Sequence, residues 1–201
     1  MSDLIQHHLI KVAQRLSSEL AEAITALEAV NLTPHLDRPF PERLCRAVVG
    51  QQLSVKAAAS IWQRVLVHAG EQPLMDFFHE AKPETLRACG LSAAKARAMG
   101  AIATTAQAGK LEGSELATLS VAERTQQLTA LWGVGQWTAD MMQIFYFGEP
   151  DIWPDGDTAA RKTLEHLMGQ QGQTQQIAAQ FAPYRSYLAL YLWRYLDAVP
   201  E

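Results

Sequence analysis

The stretch "LWGVGQWTAD", Leu131 to Asp140, places two glycines one residue apart between two helical runs. Gly133 and Gly135 permit backbone conformations and close approaches that a Cβ would prevent, and Val134 can fill the space between the helices. The second helix begins near Gln136, where N–H groups without an intrahelical partner face outward and can bind an anion without any lysine. The stretch therefore predicts a helical hairpin that holds an anion such as a DNA phosphate. A plain αα-hairpin closed by a glycine turn is the alternative.

The charge of the chain is at first sight unsuited to nucleic acid. The formal net charge is -4, whereas nucleic-acid-binding proteins usually carry a basic surface. One segment, residues 82–110, differs from the rest because it has a single acid, Glu84, and five basic residues: Lys82, Arg87, Lys95, Arg97 and Lys110. A local DNA footprint on an otherwise acidic protein is compatible with this distribution.

Helical spacing dominates the rest of the chain. Apolar residues at steps of three and four predict one long first helix through Leu9, Val12, Leu16, Leu20, Ile24 and Leu27. Further helices are predicted over residues 42–49, 55–68, 93–108, 121–130, 136–147, 158–168, 175–182 and 184–196. No segment alternates with a period of two, so the predicted fold class is all-α.

Composition also sets expectations about the setting of the protein. Cys45 and Cys89 form no CxxC pair, which argues against a disulfide framework or a zinc site and favours a reducing cytoplasm. No window approaches the roughly 18 apolar residues of a membrane span, and the first residues lack the pattern of a signal peptide. The six histidines are too widely spread to suggest a catalytic metal.

Five motifs in one order extend the interpretation of the hairpin: "RAVVGQQLSVKAAASIW", "LRACGLSAAKARAM", "LWGVGQWTADMMQIF", "DIWPDGDTAARK" and "YRSYLALYLWRY". With them the chain resembles the helix-hairpin-helix DNA glycosylase superfamily, in its DNA-3-methyladenine glycosylase II branch. In that superfamily a lysine two positions after the second hairpin glycine supports strand-nicking lyase chemistry. Trp137 occupies this position, so the resemblance implies a monofunctional glycosylase. A four-cysteine cluster of the iron–sulfur relatives is missing, and no cofactor is expected.

The resemblance places the catalytic acid about twenty residues after this position, behind a proline and at a helix start. Asp157 meets both conditions, since 157 − 137 = 20. A fixed anion stabilises the oxocarbenium-like sugar that forms when an N-glycosidic bond breaks, and it can orient water. A simple helix cap is the alternative role for this residue. Asp155 is the rival carboxylate.

Other roles are carried over from the resemblance. The base pocket would be lined by Trp137, Met141 and Trp193, and the two indole rings would attract a cationic alkylated base. The wedge that fills the gap left by the extruded base would be Gln52 or Leu53. The DNA backbone would be bound by the hairpin and by a second turn, through Gly133, Val134, Gly135, Gln136, Thr138, Gly90 and Lys95. A monovalent cation is expected at the carbonyls of Thr129, Leu131 and Val134.

The expected architecture has two lobes with the active site in the cleft between them. One lobe would span about residues 41–148, including the hairpin at 131–135, and the other residues 1–40 and 149–201. The predicted reaction is hydrolytic release of 3-methyladenine and other alkylated purines from double-stranded DNA by a monomer in the cytoplasm, at the nucleoid. The alternatives are a non-catalytic module that binds DNA lesions, and a glycosylase for another damaged base such as hypoxanthine.

Overall fold

The computed structural model describes residues 2–198, and this part of the chain contains helices and no strand. The predicted all-α class is therefore confirmed. The helices are α1 (Ser2–Ala13), α2 (Ser18–Thr25), α3 (Phe40–Gly50), α4 (Val55–Ala69), α5 (Leu74–Glu80), α6 (Pro83–Ala88), α7 (Ala93–Gln107), α8 (Gly113–Leu116), α9 (Val121–Thr129), α10 (Gln136–Met142), α11 (Thr158–Met168), α12 (Thr174–Ala179) and α13 (Arg185–Ala198). A π-helical turn, Gln143–Phe147, follows α10. None of the described helices is long and apolar enough to cross a bilayer.

The chain divides into two compact units, of which one combines the residues up to Pro34 with those from Gln143 onward. Its core packs apolar faces of α1, α2, α11, α12 and α13, with Leu9, Leu20, Leu164, Phe181 and Leu188 fully buried. The hydroxyl of Tyr191 lies inside this core and accepts the N–H of Val30 at 3.2 Å. The polar end of a large buried ring is thereby satisfied.

The prediction of one long first helix is wrong. The helix breaks between Ala13 and Ser18, and Ser17 adopts an extended conformation and caps α2 by accepting the N–H of Leu20. The same hydroxyl donates to the carbonyl of Leu167 at the end of α11, 2.6 Å away. The apolar spacing continues across the break because both pieces bury their faces in one core.

The second unit is His35–Met142 and contains α3 to α10. Its buried core includes Phe40, Leu44, Phe78, Met99 and Ile102. Three short helices, α5, α6 and α8, were not among the predicted elements because each is shorter than two full turns and shows no sustained period. Prolines mark the starts of α5 and α6, where a missing N–H carries no cost.

The hairpin leads from α9 through the glycine turn into α10. The single helix predicted over residues 136–147 changes after Met142 into the π-helical turn. Such wider turns concentrate at functional sites. Gly148 then ends the helical run at a φ of 71°, where an added Cβ would lie 2.7 Å from the ring of Pro34.

Candidate active site

Asp157 directly precedes α11, adopts an extended conformation and caps that helix. Its Oδ1 accepts the N–H of Ala160 at 2.8 Å, and the same oxygen accepts the indole N–H of Trp193 at 3.0 Å. Trp193 lies on α13, 36 residues further along the chain. The two bonds orient a half-buried carboxylate at the positive end of the α11 dipole. The predicted acid and one predicted pocket residue are thus in direct contact.

The rival carboxylates of the same region have structural partners. Both oxygens of Asp155 are engaged, Oδ1 by the indole of Trp153 and the hydroxyl of Thr174, and Oδ2 by the amide of Gln175. Asp151 forms a bidentate ion pair with Arg185, at 2.7 and 3.0 Å. The hydrogen bonds from Arg185 hold the pKa of the Asp151 carboxyl below its usual range. The geometry therefore favours Asp157 over Asp155 for chemistry on a substrate.

Trp193 is half-buried, and its ring stacks on Phe145. The two ring centroids are 5.8 Å apart and the ring planes differ by 26°. Phe145 belongs to the π-helical turn, so this turn supplies the ring that stacks on Trp193. An aromatic stack therefore adjoins the carboxylate of Asp157. Sequence reasoning missed Phe145, whose only signal was its place in the motif "DMMQIF".

The two glycines of the glycine turn, Gly133 and Gly135, differ in backbone conformation and in surroundings. Gly133 has a φ of 84°, and an added Cβ would lie 2.7 Å from the Cβ of Ala98 on α7. Val134 is 4% exposed and fills the interior of the turn, as the sequence predicts. Gly135 is exposed, is not among the residues with positive φ, and has open space where a Cβ would be. Gly135 therefore does not use the unusual backbone conformation that a glycine permits, and nothing in the described protein requires a glycine there.

The start of α10 presents backbone donors, as expected for an anion site. The first bond of this helix runs from the N–H of Ala139 to the carbonyl of Gly135. Gln136 is exposed, while its amide donates to the buried carboxylate of Asp140 at 2.8 Å. Thr138 was predicted to bind the DNA backbone, but its side chain is 1% exposed and its hydroxyl accepts the amide of Gln51. Only its backbone N–H belongs to the helix start.

The turn after α3, residues 51–54, holds the predicted wedge. Gln52 has a φ of 57°, an uncommon conformation for a residue other than glycine. Gln52 is exposed at the tip of the turn, and beside it Leu53 is 40% exposed. Gln51, which sequence reasoning missed, donates from its side-chain amide to the carbonyl of Gly133 at 3.1 Å and to Thr138 at 2.8 Å. The wedge turn and the glycine turn are thus directly joined.

Lys95 has a structural role that the sequence did not indicate. Its ammonium group donates to the carbonyls of Val49 and Gln51, each at 2.8 Å, and so caps the end of α3. Partial burial lowers the pKa of this lysine. These bonds use two of the three N–H donors of the ammonium group, and a contact of Lys95 with a DNA phosphate stays a prediction.

Gly90 is required by the protein itself. It ends α6 at a φ of 98°, and an added Cβ would lie 2.6 Å from a guanidinium nitrogen of Arg64. Arg64 is fixed in this position by donating to the carbonyl of Cys89 at 2.8 Å. A contact of Gly90 with DNA stays a prediction.

Three further predictions concern positions around the hairpin. Trp137 is half-buried and Met141 is 9% exposed; their role in a base pocket stays a prediction. The carbonyl of Leu131 accepts the N–H of Val134 at 3.1 Å, which leaves its second lone pair for a cation. Within residues 2–198 no cluster of three His, Cys, Asp or Glu side chains offers a metal site.

Comparison with known proteins identifies the family of this chain. Residues 45–184 match the family described as HhH-GPD superfamily base excision DNA repair protein. DNA-3-methyladenine glycosylase 1 of Schizosaccharomyces pombe is 32% identical over 161 residues, which cover 76% of this chain and 71% of the relative.

Two solved structures are similar along nearly the whole chain. The 3-methyladenine DNA glycosylase of Schizosaccharomyces pombe in complex with abasic DNA has a TM-score of 0.79 at 27% identity, covering 94% of this chain and 95% of that one. A DNA-3-methyladenine glycosidase of Bacillus halodurans has a TM-score of 0.75 at 30% identity, covering 94% and 88%. The family match over residues 45–184 covers more than half of the chain. The chain therefore belongs to the HhH-GPD superfamily of base-excision DNA repair proteins.

Proposed function

We propose that this protein is a monofunctional DNA glycosylase that hydrolyses the N-glycosidic bond of alkylated purines such as 3-methyladenine in duplex DNA. The product is an abasic site. It acts as a monomer, where the cell keeps its DNA. The observation that carries the proposal is the Asp157 carboxylate, held at a helix start by Ala160 and by the indole of Trp193. The similar proteins named as 3-methyladenine DNA glycosylases support the choice of substrate.

The reaction follows from the chemistry of a cationic base. The bond between C1′ and the base nitrogen breaks, and its electron pair leaves with the base, which becomes neutral. Positive charge develops on the sugar, and the Asp157 anion stabilises it without reorganising. The oxygen of a water molecule then bonds to C1′, and its proton passes to the carboxylate or to solvent. Trp137 stands where a lysine would be needed for an amine attack, so no covalent enzyme–sugar adduct forms.

Selectivity for alkylated bases is supported by the aromatic stack beside the carboxylate. The faces of Trp193 and Phe145 are electron-rich, and a base carrying a positive charge is attracted by such a face. One contact of this kind is worth on the order of 0.5–2 kcal/mol. The intrinsic weakness of the glycosidic bond in the lesion supplies further selectivity.

The glycine turn would hold a phosphate of the DNA. Gly135 is exposed and its missing side chain is not explained by the protein itself, which supports close approach of an external backbone. A monovalent cation at the carbonyls of Thr129, Leu131 and Val134 would add attraction for the same phosphate. Neutral carbonyl oxygens are suitable ligands for such a hard ion.

The decisive experiment compares base release from methylated duplex DNA by the native protein, Asp157→Asn and Asp155→Asn. Asp157→Asn keeps the size of the side chain and removes the anion, so DNA binding should persist while release falls at least about a hundredfold. Asp155→Asn disturbs a structural cluster, so it should lower thermal stability and leave most of the release. Equal loss in both variants would contradict the assignment of the acid.

If the native protein does not release 3-methyladenine, its behaviour towards other lesions discriminates among the alternatives. Release of hypoxanthine without 3-methyladenine would indicate a glycosylase for another damaged base. Tight binding of lesion DNA without release of any base would indicate a binding module.

A further inference from the structure

A large aromatic side chain is left in solvent on the glycine turn. Trp132 is 41% exposed and directly precedes Gly133. Most tryptophans bury far more of their surface because the indole carries a large apolar area. An exposed indole at the predicted phosphate site therefore requires an explanation.

The exposed indole carries a cation on its face. The guanidinium carbon of Arg97 lies 4.3 Å from the centroid of the Trp132 ring. Within residues 2–198 no carboxylate lies within ion-pair distance of Arg97. The stack therefore holds the guanidinium in place without neutralising its charge.

The packing of α7 fixes the backbone position from which the Arg97 side chain extends. Arg97 precedes Ala98, whose Cβ is the atom that an added Cβ at Gly133 would meet at 2.7 Å. α7 therefore packs directly against the glycine turn, and Arg97 is exposed beside it. Packing of the turn therefore fixes the backbone at Arg97, and the stack on Trp132 places its guanidinium.

An arginine that stacks on a tryptophan does not by itself indicate a ligand-binding site. Arg46 also lies over a tryptophan, at 6.0 Å from the ring of Trp62, but that ring is 4% exposed and belongs to the core. Arg97 differs because its tryptophan is exposed and adjoins the turn. A guanidinium that stacks through its face keeps its N–H edge for a planar or tetrahedral oxyanion.

We propose that Arg97, held on the face of Trp132, binds a phosphate of the DNA backbone beside the one at the glycine turn. The inference rests on the proposed function, because it takes duplex DNA as the ligand. It adds Arg97 to the phosphate contacts that the sequence predicts for this basic segment. Trp132 is a positioning residue in this arrangement, since it acts through Arg97.

The first test is the salt dependence of binding to undamaged duplex DNA, measured by fluorescence anisotropy from about 50 to 200 mM salt. Loss of one phosphate contact lowers the slope of log K against log salt by about 0.9. Arg97→Gln should show this decrease and weaken binding on the order of three- to tenfold at one salt concentration, equally for all sequences.

Two variants control for general effects of charge. Arg46→Gln also removes a stacked arginine, and it should leave the slope unchanged. Arg87→Gln removes a charge from the same basic segment, where Arg87 and Arg97 line a cavity of about 410 Å³. Equal decreases in the slope for Arg97→Gln and either control would overturn the proposal, because the effect would then come from the overall field or from an anion in that cavity.

The role of Trp132 is tested by a double-mutant cycle. Trp132→Phe keeps a ring face and should keep most of the affinity, whereas Trp132→Ala releases the guanidinium and should weaken binding. Trp132→Ala combined with Arg97→Gln should bind like Arg97→Gln alone, because the two residues act as one unit. Additive losses would overturn the proposed coupling. Thermal melting of each variant excludes unfolding as the cause.

The same proteins separate this inference from the proposed function. Release by the native protein together with an unchanged slope in Arg97→Gln overturns the inference alone. No release by the native protein, together with the expected decrease in slope, contradicts the glycosylase and leaves the phosphate contact in place.

Discussion

At the scale of single residues, the candidate site depends on one carboxylate with two unrelated donors. Asp157 is at once the cap of α11 and the partner of the Trp193 indole. Because both bonds go to Oδ1, they fix the direction of the carboxylate as well as its position. An anion that is already oriented stabilises a developing cation without the cost of reorganisation. The capping role and the catalytic role are therefore compatible.

Replacing Trp193 by Phe should reduce the rate of base release more than it reduces DNA binding. The change removes the indole donor and retains a ring that can stack on Phe145. We expect a decrease of about tenfold in the single-turnover rate, which corresponds to about 1.4 kcal/mol. Phe145→Leu is the matched control, since it removes the stack and keeps the hydrogen bond. A native rate in Trp193→Phe would contradict the positioning role.

The two hairpin glycines should respond differently to alanine. Gly133→Ala places a Cβ at a φ of 84° and 2.7 Å from Ala98, so we expect a loss of about 1–3 kcal/mol in the free energy of unfolding. Gly135→Ala meets open space and should change stability by less than about 0.5 kcal/mol. It should nevertheless weaken DNA binding. Urea unfolding and DNA affinity of both variants test this, and native affinity in Gly135→Ala would contradict a phosphate at that glycine.

At the scale of elements, one hydrogen-bonded network joins three parts of the second unit. Lys95 on α7 binds the carbonyls at the end of α3, and Gln51, at that end, binds the glycine turn. Gln52 is thereby held in its left-handed conformation, since both neighbouring segments are anchored. Strained residues of this kind persist where the surrounding structure determines them, and they concentrate at functional sites. The predicted wedge thus has a rigid support.

Lys95→Met should destabilise the protein because the carbonyls of Val49 and Gln51 lose charge-assisted partners. The methionine retains most of the aliphatic stem, so the change isolates the ammonium group. We expect a loss of about 1–3 kcal/mol in the free energy of unfolding, measured by urea denaturation. Lys82→Met is the control, because Lys82 is exposed and should change stability little. Equal stability of both variants would contradict the capping role of Lys95.

At the scale of the whole molecule, the proposed function requires an acidic protein to bind an anionic polymer through local features. The net charge of -4 opposes DNA at long range, so the contacts must come from short-range donors. Backbone N–H groups at a helix start and one stacked guanidinium are suitable because neither requires a basic protein. A modest salt dependence of binding is the expected consequence.

Stability of the molecule in acid should depend on Asp151. The hydrogen bonds from Arg185 lower the pKa of this carboxyl in the folded state below the unfolded value of about 3.9. The stabilisation is therefore present above about pH 4 and is lost as the pH falls through the lower folded pKa.

Asp151→Asn should lower the free energy of unfolding by about 1–2 kcal/mol at pH 7, a range that allows for partial solvent screening. The difference between Asp151→Asn and the native protein should shrink towards pH 3. Urea unfolding at pH 7, 5, 4 and 3 measures it, and a constant difference would contradict the ion pair.

Features that depend on neighbouring residues were predictable from the chain alone. The glycine turn, the serine caps of α4 and α7 and the all-helical class follow from local conformational preferences and apolar spacing. The motif order also led to the family and to Asp157 as a candidate. Local preferences act over a few residues, and each of these features lies within such a range.

Features that depend on distant residues required the folded chain. The hydrogen bond from the Trp193 indole to Asp157 spans 36 positions, and the break at Ser17 is joined to Leu167, 150 positions away. Lys95 and Arg97 are two residues apart in a basic segment and look alike in sequence. Packing directs one ammonium onto the carbonyls of α3 and one guanidinium onto the ring of Trp132. Which of two similar side chains reaches solvent is decided by the surfaces that tertiary packing brings beside them, and no local preference encodes those surfaces.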